Sequence, residues 1–265
     1  MRFRRACLNT GWAVLALVAL AACSREQAPP VALDRYQPAT LAEAVLVGNR
    51  TAVENFLALG VDPNEPEYDG TTPLMRAVHA ERHEIAKLLI DAGADVRRAN
   101  SYGVTALYLA ARAGDAFATR MLLTAGADAN AALPAGEAVL LTAVRAGDAD
   151  VVRALLTGGV EGVSLAELGE ARAAARIAES AGYSAPSNPA LAMNYADVNV
   201  RERWYGRTAL MVAAVEGHAE VAQLLVEAGA DVNILDLEGS SALSLARSYG
   251  NLDIAADLVE AGATR

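Results

Sequence analysis

Three histidines, two cysteines and a recurrent aspartate are the side chains of this 265-residue sequence that could do chemistry. His79 and His83 stand four apart, a spacing that on one helix would let two imidazoles hold a metal ion. The punctuation around them predicts a turn at Glu81-Arg82, so the two rings are expected on different elements. His218 follows Gly217 in a second such turn. Asp95, Asp128 and Asp231 recur at one position of a repeated pattern, which makes them capping or turn residues and not an acid–base pair. Cys7 and Cys23 both sit at the N-terminal end, so a chain cut before Cys23 and acylated there has no thiol for redox chemistry or metal binding. No G-x-S-x-G, Walker loop or dinucleotide fingerprint occurs. The expectation is a chain without catalytic residues, metal, cofactor or small-molecule substrate.

The elements that position everything else are set by a step of 33 residues. Asp69-Gly70-Thr71-Thr72-Pro73-Leu74 opens one unit, and Tyr102-Gly103-Val104-Thr105-Ala106-Leu107 opens the next. Gly70, Gly103, Gly136, Gly206 and Gly239 each stand two residues before a helix start. Gly60, Gly93, Gly126, Gly159, Gly182, Gly229 and Gly262 each follow a second helix. Both places favour glycine because the backbone turns there through positive φ. Thr72, Thr105, Thr208 and Ser241 cap the first helices, and Pro73 suits a first helical position. Leucine pairs such as Leu88-Leu89 and Leu224-Leu225 mark the second helices. A fixed period of this length predicts stacked helical pairs, each burying its apolar side against its neighbours. The composition agrees, with 54% apolar residues but only 5% aromatic. The net charge of −10 argues against nucleic acid, which needs clustered Lys and Arg to displace counterions.

These units resemble ankyrin repeats. The fullest copy runs from Gly206-Arg207-Thr208-Ala209-Leu210 to Gly229-Ala230-Asp231-Val232-Asn233, with Gly217-His218 between its helices. Five units start near Asp69, Tyr102, Ala135, Tyr205 and Glu238, and a worn unit from Leu41 to Asn64 precedes them as an N-terminal cap. The resemblance implies an all-α solenoid of about six to seven helix–turn–helix units with β-turn fingers, over residues 36–265. Two departures stand out. The family's helix-start histidine is replaced by Met75, Tyr108, Leu141, Met211 and Ser244, which shifts the expected stability towards apolar packing. The step from Gly136 to Gly206 is 70, and residues 160–200 are expected to hold an irregular repeat. There, 171–182 reads as a second helix, the first is short or distorted, and an inserted loop covers 184–197.

The same resemblance implies a partner-binding concave face, built from fingertips and the exposed side of each first helix. By register the fingertips are Tyr68 and Asp69, Ser101 and Tyr102, Pro134 and Ala135, Trp204 and Tyr205, and Leu237 and Glu238. The inner helix positions are His79, Arg112, Arg145, Val215, Glu216, Ser248 and Tyr249. Trp, Tyr and Arg dominate interface energetics. Tyr68, Asp69, Tyr102, Arg112, Arg145, Trp204, Tyr205, Arg207 and Tyr249 are therefore the expected contacts for a protein partner.

The first 22 residues read as a targeting segment. Arg2, Arg4 and Arg5 precede a short apolar run from Trp12 to Leu20, too short to span a bilayer. Leu20-Ala21-Ala22-Cys23 resembles a bacterial lipobox, which implies acylation of Cys23 as a membrane anchor, followed by a flexible tether over 23–35. Ser24 after the cysteine implies the outer membrane, facing the periplasm. An ordinary secretory signal with Cys23 left free, and a twin-arginine route using Arg4-Arg5, stay open alternatives. Relatives of this type sit beside periplasmic catalases or secreted toxins as supporters or neutralisers. The alternatives to a partner-binding module are a structural envelope lipoprotein with no dedicated partner, and an enzyme with a site in the 184–197 loop.

Overall fold

The computed structural model describes residues 38–180 and 194–264. The signal segment, Cys23, the tether and most of the 184–197 loop lie outside them. Thirteen helices form among the described residues. Twelve of them make six antiparallel pairs: α1 (Leu41–Val47) with α2 (Arg50–Ala58), α3 (Pro73–His79) with α4 (His83–Asp91), and α5 (Ala106–Arg112) with α6 (Ala116–Thr124). Next come α7 (Val139–Ala146) with α8 (Ala149–Leu156), then α10 (Ala209–Glu216) with α11 (Ala219–Glu227), and α12 (Ala242–Tyr249) with α13 (Leu252–Glu260). The odd one is α9 (Leu165–Ser180).

Each pair is short because its ends are specified chemically. Thr72 Oγ1 accepts from Met75 N–H at 3.3 Å, Thr105 Oγ1 from Tyr108 N–H at 3.1 Å, and Ser241 Oγ from Ser244 N–H at 3.2 Å. These bonds satisfy amides that a helix start leaves orphaned. A glycine in left-handed conformation ends α1, α7, α10 and α12. First helices stack on first helices and second on second, giving two layers with the core between them. Small residues line the first layer, where Ala77, Ala110, Ala143, Ala213 and Ala246 are all buried. Met75, Leu141 and Met211 fill the places of the missing histidine and are fully buried, so apolar contact replaces its polar bonds. The last unit is polar where the others are apolar. Arg247 is exposed at the position of Val78, Ala111, Val144 and Ala214, all buried. Such a face meets water and not another repeat.

Units are tied by a ladder of asparagines. Asn64 Oδ1 accepts from Asp95 N–H at 2.7 Å, Asn130 Oδ1 from Asp197 N–H at 2.7 Å, and Asn199 Oδ1 from Asp231 N–H at 2.9 Å. In five of the six units an aspartate takes the amide two residues on, as in Asp62 to Asn64 at 2.8 Å and Asp231 to Asn233 at 3.0 Å. The recurrent aspartates are turn residues, as their repetition predicts.

A backbone bond closes the fourth unit across the stretch where an irregular repeat is expected. In regular units one backbone bond closes the second helix: Ala94 N–H to Leu89 C=O, Ala127 to Leu122, Ala230 to Leu225 and Ala263 to Leu258, all at 2.9 Å. In the fourth unit the equivalent bond joins Ala196 N–H to Leu155 C=O at 3.1 Å. Residues 160–195 are thus an excursion interrupting a single turn, and Ala196-Asp197-Val198-Asn199 finishes the unit that Thr157-Gly158-Gly159 left open. Units four and five stack directly, α7 on α10 and α8 on α11. Where a distorted pair with its second helix over 171–182 is expected, the described residues of the excursion hold one helix, α9, which spans 165–180 and packs on α11. At its contact Gly169 meets the end of α11 so closely that a Cβ would fall 2.2 Å from Glu227 C=O. Arg172 donates to Ala228 C=O at 2.8 Å and to Ala196 C=O at 3.3 Å, fastening α9 both to the residue after α11 and to the returning backbone.

Candidate binding surface

The fingers, numbered two to six after the units they open, are tight turns closed by their own backbone. Glu67 N–H reaches Thr71 C=O at 2.8 Å, Asn100 reaches Val104 at 3.0 Å, Leu133 reaches Glu137 at 2.9 Å, Glu202 reaches Arg207 at 2.9 Å, and Asp236 reaches Ser240 at 2.9 Å. Two of the four neighbouring pairs are joined edge to edge, Ser101 N–H to Asp69 C=O and Leu237 N–H to Tyr205 C=O, each at 2.9 Å. At the two junctions between them Pro134 lies against Gly103 and Arg203 against Gly136, so the tips stand in a row beside the first-helix layer.

Every tip carries an exposed apolar group. Tyr68 is fully exposed, Tyr102 and Tyr205 largely so, and Trp204 is 78% exposed. Pro134 and Leu237 occupy the same place on the remaining tips and are exposed too. A turn normally shows water small polar residues. Exposed rings and a leucine there bury little apolar area on folding, which is why they mark a contact surface. Asp69 Oδ1 accepts from Thr71 N–H at 2.9 Å, and these bonds to Thr71 hold its carboxyl below the usual range.

The arginines divide into two kinds. Arg112 is exposed at the end of α5. Arg145 is exposed but engaged, at 2.6 Å from Glu137 and 3.2 Å from Glu202, so it braces the fourth finger against the fifth. Arg207 is only 16% exposed in its side chain, lies 3.6 Å from buried Asp236, and stacks 4.6 Å from the Tyr205 ring centroid. It holds Tyr205 and the sixth finger in place more than it presents itself. Tyr249 is exposed at the end of α12. One bracket had no signal in the repeat pattern: Arg76 forks onto Glu67 at 2.8 and 2.5 Å, which raises the guanidinium pKa and stiffens the second finger.

The histidines are held in contacts between helices and units. His79 ends α3 and His83 begins α4, so they lie on different helices as the turn signal predicts. His83 Nε2 sits 2.5 Å from Asp115 and its ring 5.0 Å from Phe117. His218 Nε2 lies 3.3 Å from Arg145 C=O. No group of three or more metal-ligating side chains gathers among the described residues. A cleft of about 380 Å³ opens between the fourth finger's base and the returning backbone, lined by Asn130, Arg172, Tyr195 and Asp197. Burial lowers the pKa of Arg172 against the attraction of nearby Asp197, and its guanidinium donates to the Ala228 and Ala196 carbonyls.

A family model described as ankyrin repeats in three copies matches residues 41–132 and 140–264. Among solved structures, the chain is similar to an ankyrin repeat domain from Acinetobacter baumannii AYE, at 26% identity and a TM-score of 0.67, over 84% of this chain and 98% of that one. It is likewise similar to the ankyrin repeat domain of Bcl-3, described as a unique member of the IkappaB protein family, at 27% identity and a TM-score of 0.66, over 84% and 86%.

Proposed function

Since this chain belongs to the ankyrin-repeat family, whose members are generally protein–protein interaction modules, we propose that it is a non-enzymatic, lipid-anchored binding protein of a bacterial envelope. In this reading acylated Cys23 holds the array at the outer membrane on the periplasmic side, and 23–35 gives it reach. The partner is a periplasmic protein seated against the fingertips and the exposed ends of the first helices. Support of a catalase and neutralisation of a toxin both fit such a module.

The observation that carries the binding role is the unbroken row of exposed apolar tips on fingers braced by Arg76, Arg145 and Arg207. Rigid aromatic anchors lose little conformational entropy on binding, so they make affinity cheaply. The test is cross-linking capture from native envelopes with the parent chain and with Tyr102→Ala, Trp204→Ala and Tyr205→Ala combined. The expected result is loss of at least one specific captured protein, at ~10-fold or more, since interface aromatics typically cost more than 1 kcal/mol each when truncated. Recovery of an identical set would defeat the binding-surface reading. A fatty-acid probe labels the parent and not Cys23→Ala if the anchor is real.

A further inference from the structure

We propose that the fingertip ridge reads a proline-rich segment in the polyproline II conformation, carrying basic residues at its ends. This rests on the binding role above and adds the class of partner.

The argument is one of spacing. Each finger is a tight turn closed by one backbone bond, and two of the four neighbouring pairs are hydrogen-bonded edge to edge, Ser101 to Asp69 and Leu237 to Tyr205 at 2.9 Å. Extended backbones bonded in this way lie about 4.7–4.9 Å apart, so a finger two backbones wide follows another at roughly 9.6 Å. The helix layers behind them agree, since packed helices stand about 8–10 Å apart. A polyproline II helix has three residues per turn at about 3.1 Å each, a repeat of roughly 9.3 Å. One face of such a segment therefore meets one fingertip per turn. A β-strand repeats its face about every 6.7 Å and an α-helix completes a turn about every 5.4 Å, so neither keeps step with the tips.

The chemistry of the tips fits as well. Tyr68, Tyr102, Pro134, Trp204 and Leu237 offer flat or rigid apolar surface at successive steps, and aromatic-lined grooves are how pyrrolidine rings are bound elsewhere. Charge completes it. The residue just before the tip glycine is Asp69 on the second finger and Glu238 on the sixth, while Tyr102, Ala135 and Tyr205 between them are neutral. The whole chain carries −10. A segment with prolines at its centre and Lys or Arg at each end complements that order. Four steps of the ridge correspond to about 12 residues of polyproline II.

The test uses the full chain and a fluorescein-labelled synthetic peptide of about 15 residues, repeated Pro-Pro-Ala with lysine at both ends, a length set by the ridge. A second peptide replaces each proline with glycine, which keeps the charge and removes the preformed helix. Anisotropy should show saturable binding of the proline peptide and at least ~10-fold weaker binding of the glycine one, as expected when preorganisation is lost. Tyr102→Ser with Trp204→Ser, whose circular dichroism should match the parent because both side chains face solvent, should weaken the proline peptide at least ~10-fold. Equal binding of the two peptides, no binding of either, or indifference to the double variant overturns the proposal. If envelope capture still depends on the tips, only the partner class has failed; if it does not, the binding role falls with it.

Discussion

Glu81 is the one described residue other than glycine with a positive φ, at 54°. The same turn in the other units is made by Gly48, Gly114, Gly147, Gly217 and Gly250, with φ between 72° and 81°. A side chain with a Cβ is strained there by about 1–2 kcal/mol. Glycine would relieve this but cost about 0.5–1 kcal/mol through the freer unfolded chain. The first effect wins, so Glu81→Gly should stabilise the array by ~0.5–1 kcal/mol, read as a higher midpoint with an unchanged slope in urea unfolding. A lower midpoint would mean that the Glu81 side chain makes a contact worth more than the strain. The reverse change is harsher at Gly147, where a Cβ would lie 2.7 Å from the His218 ring as well as at positive φ. This residue-level logic was legible in the sequence for the glycines, because they recur in register. Arg145 and Arg207 were legible only by position. That they brace fingers through Glu137, Glu202 and Asp236 depends on contacts between units, which no single unit's pattern encodes.

At the scale of the element, the regular helices were readable because cap, apolar face and closing glycine recur together. The exception was α9. The sequence Ile177-Ala178-Glu179-Ser180-Ala181-Gly182 mimics the wording at the end of a second helix, and a step of 70 invites division into two units. The local wording cannot distinguish a worn repeat from an insertion, since the deciding bond joins Leu155 to Ala196 across the excursion. The sequence signal that separates them is Ala196-Asp197-Val198-Asn199, a unit ending preceded by Pro186-Ser187-Asn188-Pro189 and not by a leucine pair. Gly169 offers the test of how α9 is held. Alanine there is the better helix former by about 1 kcal/mol. Its Cβ, however, would strike Glu227 C=O at 2.2 Å and Gly229 N at 3.0 Å, backbone atoms that cannot turn aside. Undocking forfeits two hydrogen bonds from a charged donor, worth about 1.5–3 kcal/mol each, so the clash prevails. Gly169→Ala should therefore raise amide exchange across 165–180 by ~10-fold or more while α3 to α6 stay protected. Unchanged exchange in 165–180 would mean that α9 does not rest on α11 through this glycine.

For the whole molecule, a stack whose units touch only their neighbours tolerates an excursion wherever the neighbours still meet. Units four and five do meet, through α7 with α10 and α8 with α11. Removing residues 160–195 and joining Gly159 to Ala196 leaves Thr157-Gly158-Gly159-Ala196-Asp197-Val198-Asn199, the same form as Asp91-Ala92-Gly93-Ala94-Asp95-Val96-Arg97. The bond from Ala196 to Leu155 would then span five residues, as Ala94 to Leu89 does. By the logarithmic scaling of loop closure, shortening the connection to this extent favours folding by roughly 2 kcal/mol. Against this stand the lost Arg172 bonds and the burial of Leu165 and Leu168, of similar or larger size. The shortened chain should keep a single cooperative urea transition within a few kcal/mol of the parent, and should capture the same envelope partner. A broad or two-step transition would make α9 an integral layer of the stack. Intact folding with lost capture would move the partner's footprint from the fingertip ridge to the excursion, and with it the function.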